Sequence, residues 1–437
     1  MICLREKLHN AWKNGSRTEL LTAVYICLML SIFPLIPGIH GYNGLTFAKW
    51  LTFIVLSLAY LLSLFIVLLR GDDKLELRLS LPQVLVLVYG ALTFISAIAS
   101  PWGDTVWLGS GRYEGWLTMA CYMAVFMAVS LFARVRRIYA YVLAAVLLIN
   151  DVIALLQLRG LNPFHLYPGG YDYFDGNVLY SGEFLGTLGN VGMMAAFICL
   201  SVPVLICCFI RWRKDSKFSR LLLAAALLSV YVLLRSGVAA GVVGLLAVGA
   251  ILPFLLLRQG KSRLVWLAIL LSCAAAAVLY IGGYDGKNTT LRECSAVLHG
   301  EVDDSFGSSR ILIWRETVKL SGERPLLGGG PDTLKERLDL VFAGEEDKNG
   351  NRRRTIVDTA HNDYLNIAVN TGWPSLAVYL AALFASAICW IKRRNNTAAL
   401  VCGGGMLGYC VQIFFSFSIC IVAPLFWICW GLLLSKN

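Results

Sequence analysis

Apolar residues gather along this chain into long runs separated by short polar, often basic, segments. A hydrocarbon core of roughly 30 Å is crossed by about 20 residues of helix. Runs near that length recur at 19–39, 46–69, 81–100, 114–133, 137–157, 186–210, 220–235, 237–257, 264–282, 373–391, 398–414 and 417–434. The pattern predicts an all-α polytopic membrane protein with about 12 transmembrane helices. Runs 220–235 and 237–257 lie so close that one broken hairpin is an alternative to two spans. The first run has no small-residue cleavage site and leads into further spans, so an uncleaved first span is expected.

Two segments are too long to be turns. Residues 158–185, "LRGLNPFHLYPGGYDYFDGNVLYSGEF" from Leu158 onward, are rich in Gly and Tyr and carry His165, Asp172, Asp175 and Glu183. Residues 283–372 precede the last three spans, and segments of that length are functional or disordered. The helical patterning of "RILIWRETVKL" and "HNDYLNIAVN" argues for a folded, partly helical loop.

Composition agrees with the pattern: the 437 residues are 58% hydrophobic and only 15% charged, against about a quarter charged in soluble domains. The net charge of +11 is explained by topology. Lys and Arg cluster at 1–18, 70–80, 134–137, 211–220, 258–263 and 392–394, whereas the short segments on the other side and the spans hold only Lys49, Arg112, Arg159 and Arg235. The positive-inside rule then puts both termini in the cytoplasm and residues 283–372 outside it. No nucleic-acid partner is needed to account for the basic balance. The cysteines, such as Cys199, Cys207, Cys208 and Cys420, fall mostly within spans as small apolar residues, and no CxxC spacing suggests a metal.

Within the long loop, "SSRILIWRETVKL" predicts a helix over about 309–320, with Ser308 or Ser309 as cap and Arg310 in the first turn. Ile311, Trp314 and Val318 share a face suited to the membrane interface. The "GGGP" at 328–331 reads as a flexible turn or, alternatively, as a cradle of backbone amides for phosphate. Asp347, Asn349 and Asn351 imitate a calcium loop, but Arg352 occupies the position that requires glycine, so a solvated hairpin tip is expected. Arg352–Arg354 read as an anion patch or as polar surface. Asp303-Asp304 lack the spacing of a DxD pair. The aromatic stretch "PWGDTVWLGSGRYEGW" (101–116) suits an interfacial belt or sugar stacking.

The remaining candidates are a histidine and an arginine. His361 opens a short helix predicted over 360–370, whose apolar face (Leu365, Ala368, Val369) suits the outer interface. The positive end of a helix dipole disfavours protonation, and a neutral imidazole can accept a proton from a hydroxyl. A histidine bonded to loop backbone is the competing reading. Arg235 ends a span in "LLRSGVAAGVVGLL", as a functional cation or as an interfacial anchor.

In order, "GTLGNVGMMAAF" (186–197), "SSRILIW" (ending at Trp314), "RPLLGGG" (324–330), "HNDYLNIAVNTGW" (361–373) and "GYCVQIFFSFS" resemble the O-antigen ligase/polymerase family, integral membrane glycosyltransferases of class C type. The resemblance covers residues 186–437, including the loop 283–372 as catalytic loop, while 1–185, about five spans and the first outer loop, agree only in hydropathy. It implies transfer of a glycan from an undecaprenyl-diphosphate carrier to an acceptor hydroxyl on a glycan or lipid. The setting implied is the outer face of the bacterial cytoplasmic membrane, in surface polysaccharide assembly as ligase or polymerase. By the same resemblance His361 is the catalytic imidazole, Arg310 and Arg235 bind the diphosphate, and Asn362, Asn190 and Trp314 are candidates for support. The family usually reads Ser-Arg-Gly where this chain reads Arg235-Ser236-Gly237, a one-residue shift worth about 100° on a helix. The lipid activates the donor, so neither a metal nor a cofactor is expected. Membrane lipids are the remaining partner. A multi-span transporter or lipid-linked glycan flippase is the alternative, although the late, unrepeated loop breaks the internal symmetry common in transporters. A non-catalytic binding scaffold is a third reading.

Overall fold

The computed structural model of the chain describes residues 16–37, 41–71, 78–166, 185–214, 218–257, 259–346 and 352–435. Each predicted run contains one helix: α1 (Arg17–Ser31), α2 (Gly41–Leu69), α3 (Leu81–Ile98), then, after the single-turn α4 (Thr105–Leu108), α5 (Trp116–Phe132), α6 (Arg137–Gln157), α7 (Val191–Trp212), α8 (Ser219–Ser236), α9 (Ala239–Leu256) and α10 (Gly260–Gly282). The long loop follows with α11 (Thr289–Leu298), α12 (Phe306–Glu323), α13 (Leu334–Arg337), strands β1 (Val341–Glu346) and β2 (Arg352–Ile356), and α14 (Asp363–Thr371). The last spans are α15 (Trp373–Lys392), α16 (Thr397–Phe414) and α17 (Ala423–Leu434). Among the described residues ten helices are long and apolar enough to cross a membrane, and α5 and α17 are shorter apolar helices beside them. The chain is an all-α polytopic membrane protein, with one small antiparallel hairpin, β1–β2, in its loop.

Close approach of backbones sets the centre of the bundle. In α16 a side chain at Gly408 would run into the Cys199 carbonyl of α7, so only glycine lets these two helices meet. α17 fills the middle, with Trp430 and Phe426 buried in an aromatic cluster that includes Phe126 of α5 and Tyr379 of α15. At the other extreme, α10 has no buried residue and touches the rest only at its margin. α8 and α9 are separate helices: Gly237 adopts φ 71 and turns the chain between them.

Two predicted spans begin later than their hydropathy suggests. α7 starts at Val191, with residues 186–189 forming a turn, and α17 starts at Ala423, with 415–422 irregular. Hydropathy reports only burial. Backbone without helix is tolerated at membrane depth where protein supplies its hydrogen bonds. Asn150 and Gln157 of α6 do so for the first segment: Gln157 Oε1 accepts from the Gly186 amide at 2.7 Å, and Asn150 Oδ1 from the Thr187 amide at 2.9 Å. For the second, the Ser418 amide donates to Asp363 at 3.0 Å.

The long loop carries a small core of its own, formed by Ile313, Leu334, Leu338, Val357, Ala360 and Val369. It is seated on the bundle end by α3 and the segment after it. Ser96 Oγ donates to the Leu327 carbonyl, Ser100 Oγ to that of Gly329, and Ser110 to both the side chain and the carbonyl of Asp332. The expected hairpin tip and imitation calcium loop, 347–351, lie outside the described residues, as do Asp172, Asp175 and Glu183 of the first long segment.

Candidate functional site

Several local rules place the loop side chains, and three of them correct the expectations above. The helix carrying Arg310 is preceded by Gly307, Ser308 and Ser309, all at left-handed φ between 59 and 62. Neither serine caps it, and regular right-handed helix begins at Arg310 itself. His361 likewise lies outside its helix. Asn362 is the N-cap of α14, its side chain accepting from the Leu365 amide at 3.1 Å, and His361 precedes it at φ 49. A histidine in that region is uncommon and mildly strained, a conformation found often at functional positions. α14 does not rest on the membrane interface either. Ala368 and Val369 are fully buried, and Val369 belongs to the loop core.

The phosphate-cradle reading of "GGGP" also fails on hydrogen bonding. The amides of Gly328, Gly329 and Gly330 are already donated to the carbonyls of Arg324, Val369 and Asn370. The turn is tightly docked, because a side chain at Gly328 would strike the Asn370 backbone. Asp303 and Asp304 are engaged locally, with Ser305 and Arg315 respectively.

What surrounds His361 comes from three distant segments. Its ring packs edge-on against Phe417, centroids 5.3 Å apart, in the irregular stretch before α17. Arg112, from the segment between α4 and α5, lies 4.3 Å over the same Phe417 ring. Its guanidinium is bidentate to Asp358, with Nε–Oδ2 2.7 Å and Nη2–Oδ1 2.9 Å. Arg310 is near enough to act on His361 electrostatically. Burial pulls the imidazole down, the Arg310 and Arg112 charges add to this, and Asp358 opposes; the result is a pKa of about 4. The neutral form expected from the sequence is therefore present, chiefly through burial and two cations, with His361 outside the first turn of its helix. Burial pushes Asp358 up, but the charge and hydrogen bonds of Arg112 outweigh it and hold the carboxylate below its ordinary value.

Arg310 and Trp314 lie four residues apart on α12, one turn along the same face. Arg310 Nε and Trp314 Nε1 are buried without a hydrogen-bond acceptor among the described residues. Burial also lowers the pKa of Arg310, Glu293 opposing. The Trp314 ring packs against Phe414 and Phe415, so this face of α12 meets protein, while Val318 remains 46% exposed. Buried donors without acceptors are rare and call for a reason. An anion with several oxygens would satisfy both.

Beside this group opens a cavity of about 800 Å³, whose lining includes Arg112, Glu114, Asp332, Asp358, Asp363 and Phe417. Burial raises three of its carboxyl groups above their usual values. Burial, with the neighbouring Asp332 charge, raises Glu114 well above its usual range, although Tyr122 donates to it at 3.0 Å. Burial brings Asp332 to about 6 and Asp363 to about 7, each opposed by a backbone amide, from Ser110 and Ser418. At about 7, Asp363 is partly protonated near pH 7 and there donates as well as accepts hydrogen bonds. Tyr89, Tyr122, Tyr379 and Trp427 supply the aromatic part of the lining.

The remaining sequence candidates are Asn190 and Arg235. Asn190 caps α7, accepting from the Gly192 amide at 2.6 Å, and Gln412 reaches the Gly192 carbonyl. Arg235 is exposed in the last turn of α8 and makes no hydrogen bond or ion pair with a described residue. Sequence reasoning missed Arg112, Asp358 and the buried carboxyls. Arg112 carried a usable signal as one of four cations in otherwise cation-poor segments, whereas the aromatics around it suggested a belt. They also pack on one another and on the loop: Trp50 stacks on Tyr113, Trp107, itself 36% exposed, meets Trp116 edge-on, and Trp102 lies beneath Arg324 and Arg337.

No curated protein matches this chain. Residues 224–380, from the first turns of α8 through the Arg310 helix and His361 into α15, match the family model described as O-antigen ligase, which supports the likeness of that region to the O-antigen ligase/polymerase family.

Proposed function

We propose that this protein, a membrane enzyme of O-antigen ligase/polymerase type acting in surface polysaccharide assembly, transfers a glycan from an undecaprenyl-diphosphate carrier to an acceptor hydroxyl. The reading is supported above all by one juxtaposition: a neutral imidazole beside a buried arginine whose Nε has no protein acceptor, next to a carboxyl-lined cavity. The anionic diphosphate fits Arg310 and the Trp314 N–H, and the hydroxyl-rich acceptor fits the cavity. His361 takes the acceptor hydroxyl proton, the acceptor oxygen bonds to the anomeric carbon, and the bond from that carbon to the phosphate oxygen breaks. The electron pair leaves with undecaprenyl diphosphate, whose growing charge Arg310 stabilises. Attack opposite the leaving group inverts the anomeric centre.

Arg235 serves as a second, outer contact for the donor diphosphate. Asn362 and Asn190 fix the chain around the site through their caps. Both termini lie in the cytoplasm and the loop outside it, in the cytoplasmic membrane of a bacterium, following the distribution of Lys and Arg.

The test is transfer of radiolabelled glycan from undecaprenyl diphosphate in proteoliposomes. His361→Ala and Arg310→Ala are expected to insert normally and each to lose at least about 100-fold in rate. Full activity in His361→Ala removes the base assignment, and translocation of the lipid-linked glycan without transfer favours a flippase.

A further inference from the structure

A second pocket runs from the start of α6 along α7, lined also by the first turns of α16, by α17 and by Leu30 near the end of α1. Its empty space, open mouth included, is about 620 Å³. Along α7 its wall is formed by Phe197, Leu200, Val204, Cys208 and Trp212, spaced to share one helical face. Fifteen residues of helix span about 22 Å, more than the depth of one leaflet's share of a roughly 30 Å hydrocarbon core. The pocket is thus a long apolar groove, the shape of an extended acyl chain.

One end of the groove is of different chemistry. Arg136 and Tyr139, at the start of α6, line it, and both Arg136 Nε and Tyr139 Oη are buried without an acceptor among the described residues. Tyr139 is only 6% exposed, so water does not readily replace that acceptor. The charge there is positive. Among the described residues Arg134 and Arg136 share the Glu19 carboxylate, which binds Arg136 at 2.6 Å and Arg134 at 3.3 Å. Arg137 lies 5.3 Å over the Trp212 ring. The N-terminus of the long helix α6 adds its positive dipole at the same place.

We propose that this groove is a binding site for an anionic phospholipid of the surrounding membrane, with an acyl chain along α7 and the phosphate on Arg136 and Tyr139. The inference stands apart from the transfer reaction, since none of these residues belongs to the His361 site. A lipid bound there would join α1, α6, α7, α16 and α17.

Native mass spectrometry of the full-length protein in detergent tests this, with phosphatidylglycerol and phosphatidylcholine of identical chains as probes. Phosphatidylglycerol should be retained at least about tenfold more tightly than phosphatidylcholine, a difference of about 1.4 kcal/mol. Tyr139→Phe keeps the ring and removes a phosphate donor, and should weaken the retention of phosphatidylglycerol severalfold. Val204→Phe, which fills the groove, should weaken both lipids. Arg136→Gln should act like Tyr139→Phe; where its broken Glu19 pair prevents folding, the Tyr139→Phe arm decides. Equal retention of the two lipids, or adducts unchanged by both Tyr139→Phe and Val204→Phe, overturns the proposal. Preferential retention of a polyprenyl phosphate over phosphatidylglycerol overturns the identity of the occupant.

Discussion

Two segments of the chain each offer one arginine from a stretch poor in cations, and the structure treats them differently. Arg112, in the turn-rich segment between α3 and α5, is drawn inward, clamped on Asp358 and laid over Phe417 beside His361. Arg235, at the end of α8, remains exposed without a partner among the described residues. Motif order pointed to the second and was silent on the first. Motif order records which residues recur together along a chain, whereas charge–charge interaction depends on where the fold brings them. Segment 100–116 is far from His361 in sequence and is carried to it by Ser96, Ser100 and Ser110, which hold the loop turn 327–332.

The largest expected effect therefore comes from breaking the inward arginine. Arg112→Ala should cost about 100-fold or more in transfer rate, in the range of a lost preorganised electrostatic contact. It should also destabilise the loop by about 2 kcal/mol, the low end for losing one member of a buried charge pair, because Asp358 keeps 31% of its side chain exposed. Thermal unfolding and initial rates separate the two effects, and Arg112→Lys, which keeps the charge but loses the fork, should recover stability only in part. An Arg112→Ala protein with unchanged kinetics would reduce the segment to a scaffold.

A second, smaller effect concerns pH. Only the neutral imidazole of His361 accepts the hydroxyl proton, so the rate falls as pH drops through its pKa. With that pKa at about 4, the acid limb of kcat/KM should lie well below the ordinary histidine value of about 6.5. The signs for its neighbours are opposite. Arg112→Gln removes a cation that disfavours protonation and should move the limb up, whereas Asp358→Asn removes a carboxylate that favours it and should move the limb down. Shifts in the same direction would show that the variants act through folding.

Much of the bundle was legible because burial in lipid and burial in protein both demand apolar residues in helix-length runs. The same ambiguity hid the starts of α7 and α17: Phe417, Ile419 and Cys420 are as apolar as a span, yet form irregular backbone against Asp363 and the cavity. In the candidate site, His361 and Arg310 were legible from ordered motifs within one loop. Glu114, Asp332 and Asp358 were not, since carboxylates in polar loops look solvated until the fold shows which are buried. The interfacial helix expected at 360–370 failed for a related reason: an amphipathic pattern does not say whether lipid or a protein core receives its apolar face.

The smallest effect should come from Arg235. Its guanidinium is exposed, so a diphosphate contact there is screened by solvent and falls within the modest range of surface charge pairs, about 0.2–1 kcal/mol. That corresponds to a donor KM raised by no more than about fivefold in Arg235→Ala, with kcat nearly unchanged, because an outer contact of equal strength in ground and transition state alters binding alone. Thermal stability should stay at the native value, since the side chain holds no described partner. Donor titrations of Arg235→Ala and Arg112→Ala under one set of conditions then rank the two segments directly. A kcat loss in Arg235→Ala as large as in Arg112→Ala would mean that the end of α8 moves onto the donor during turnover, and would make the exposed arginine the equal of the buried one.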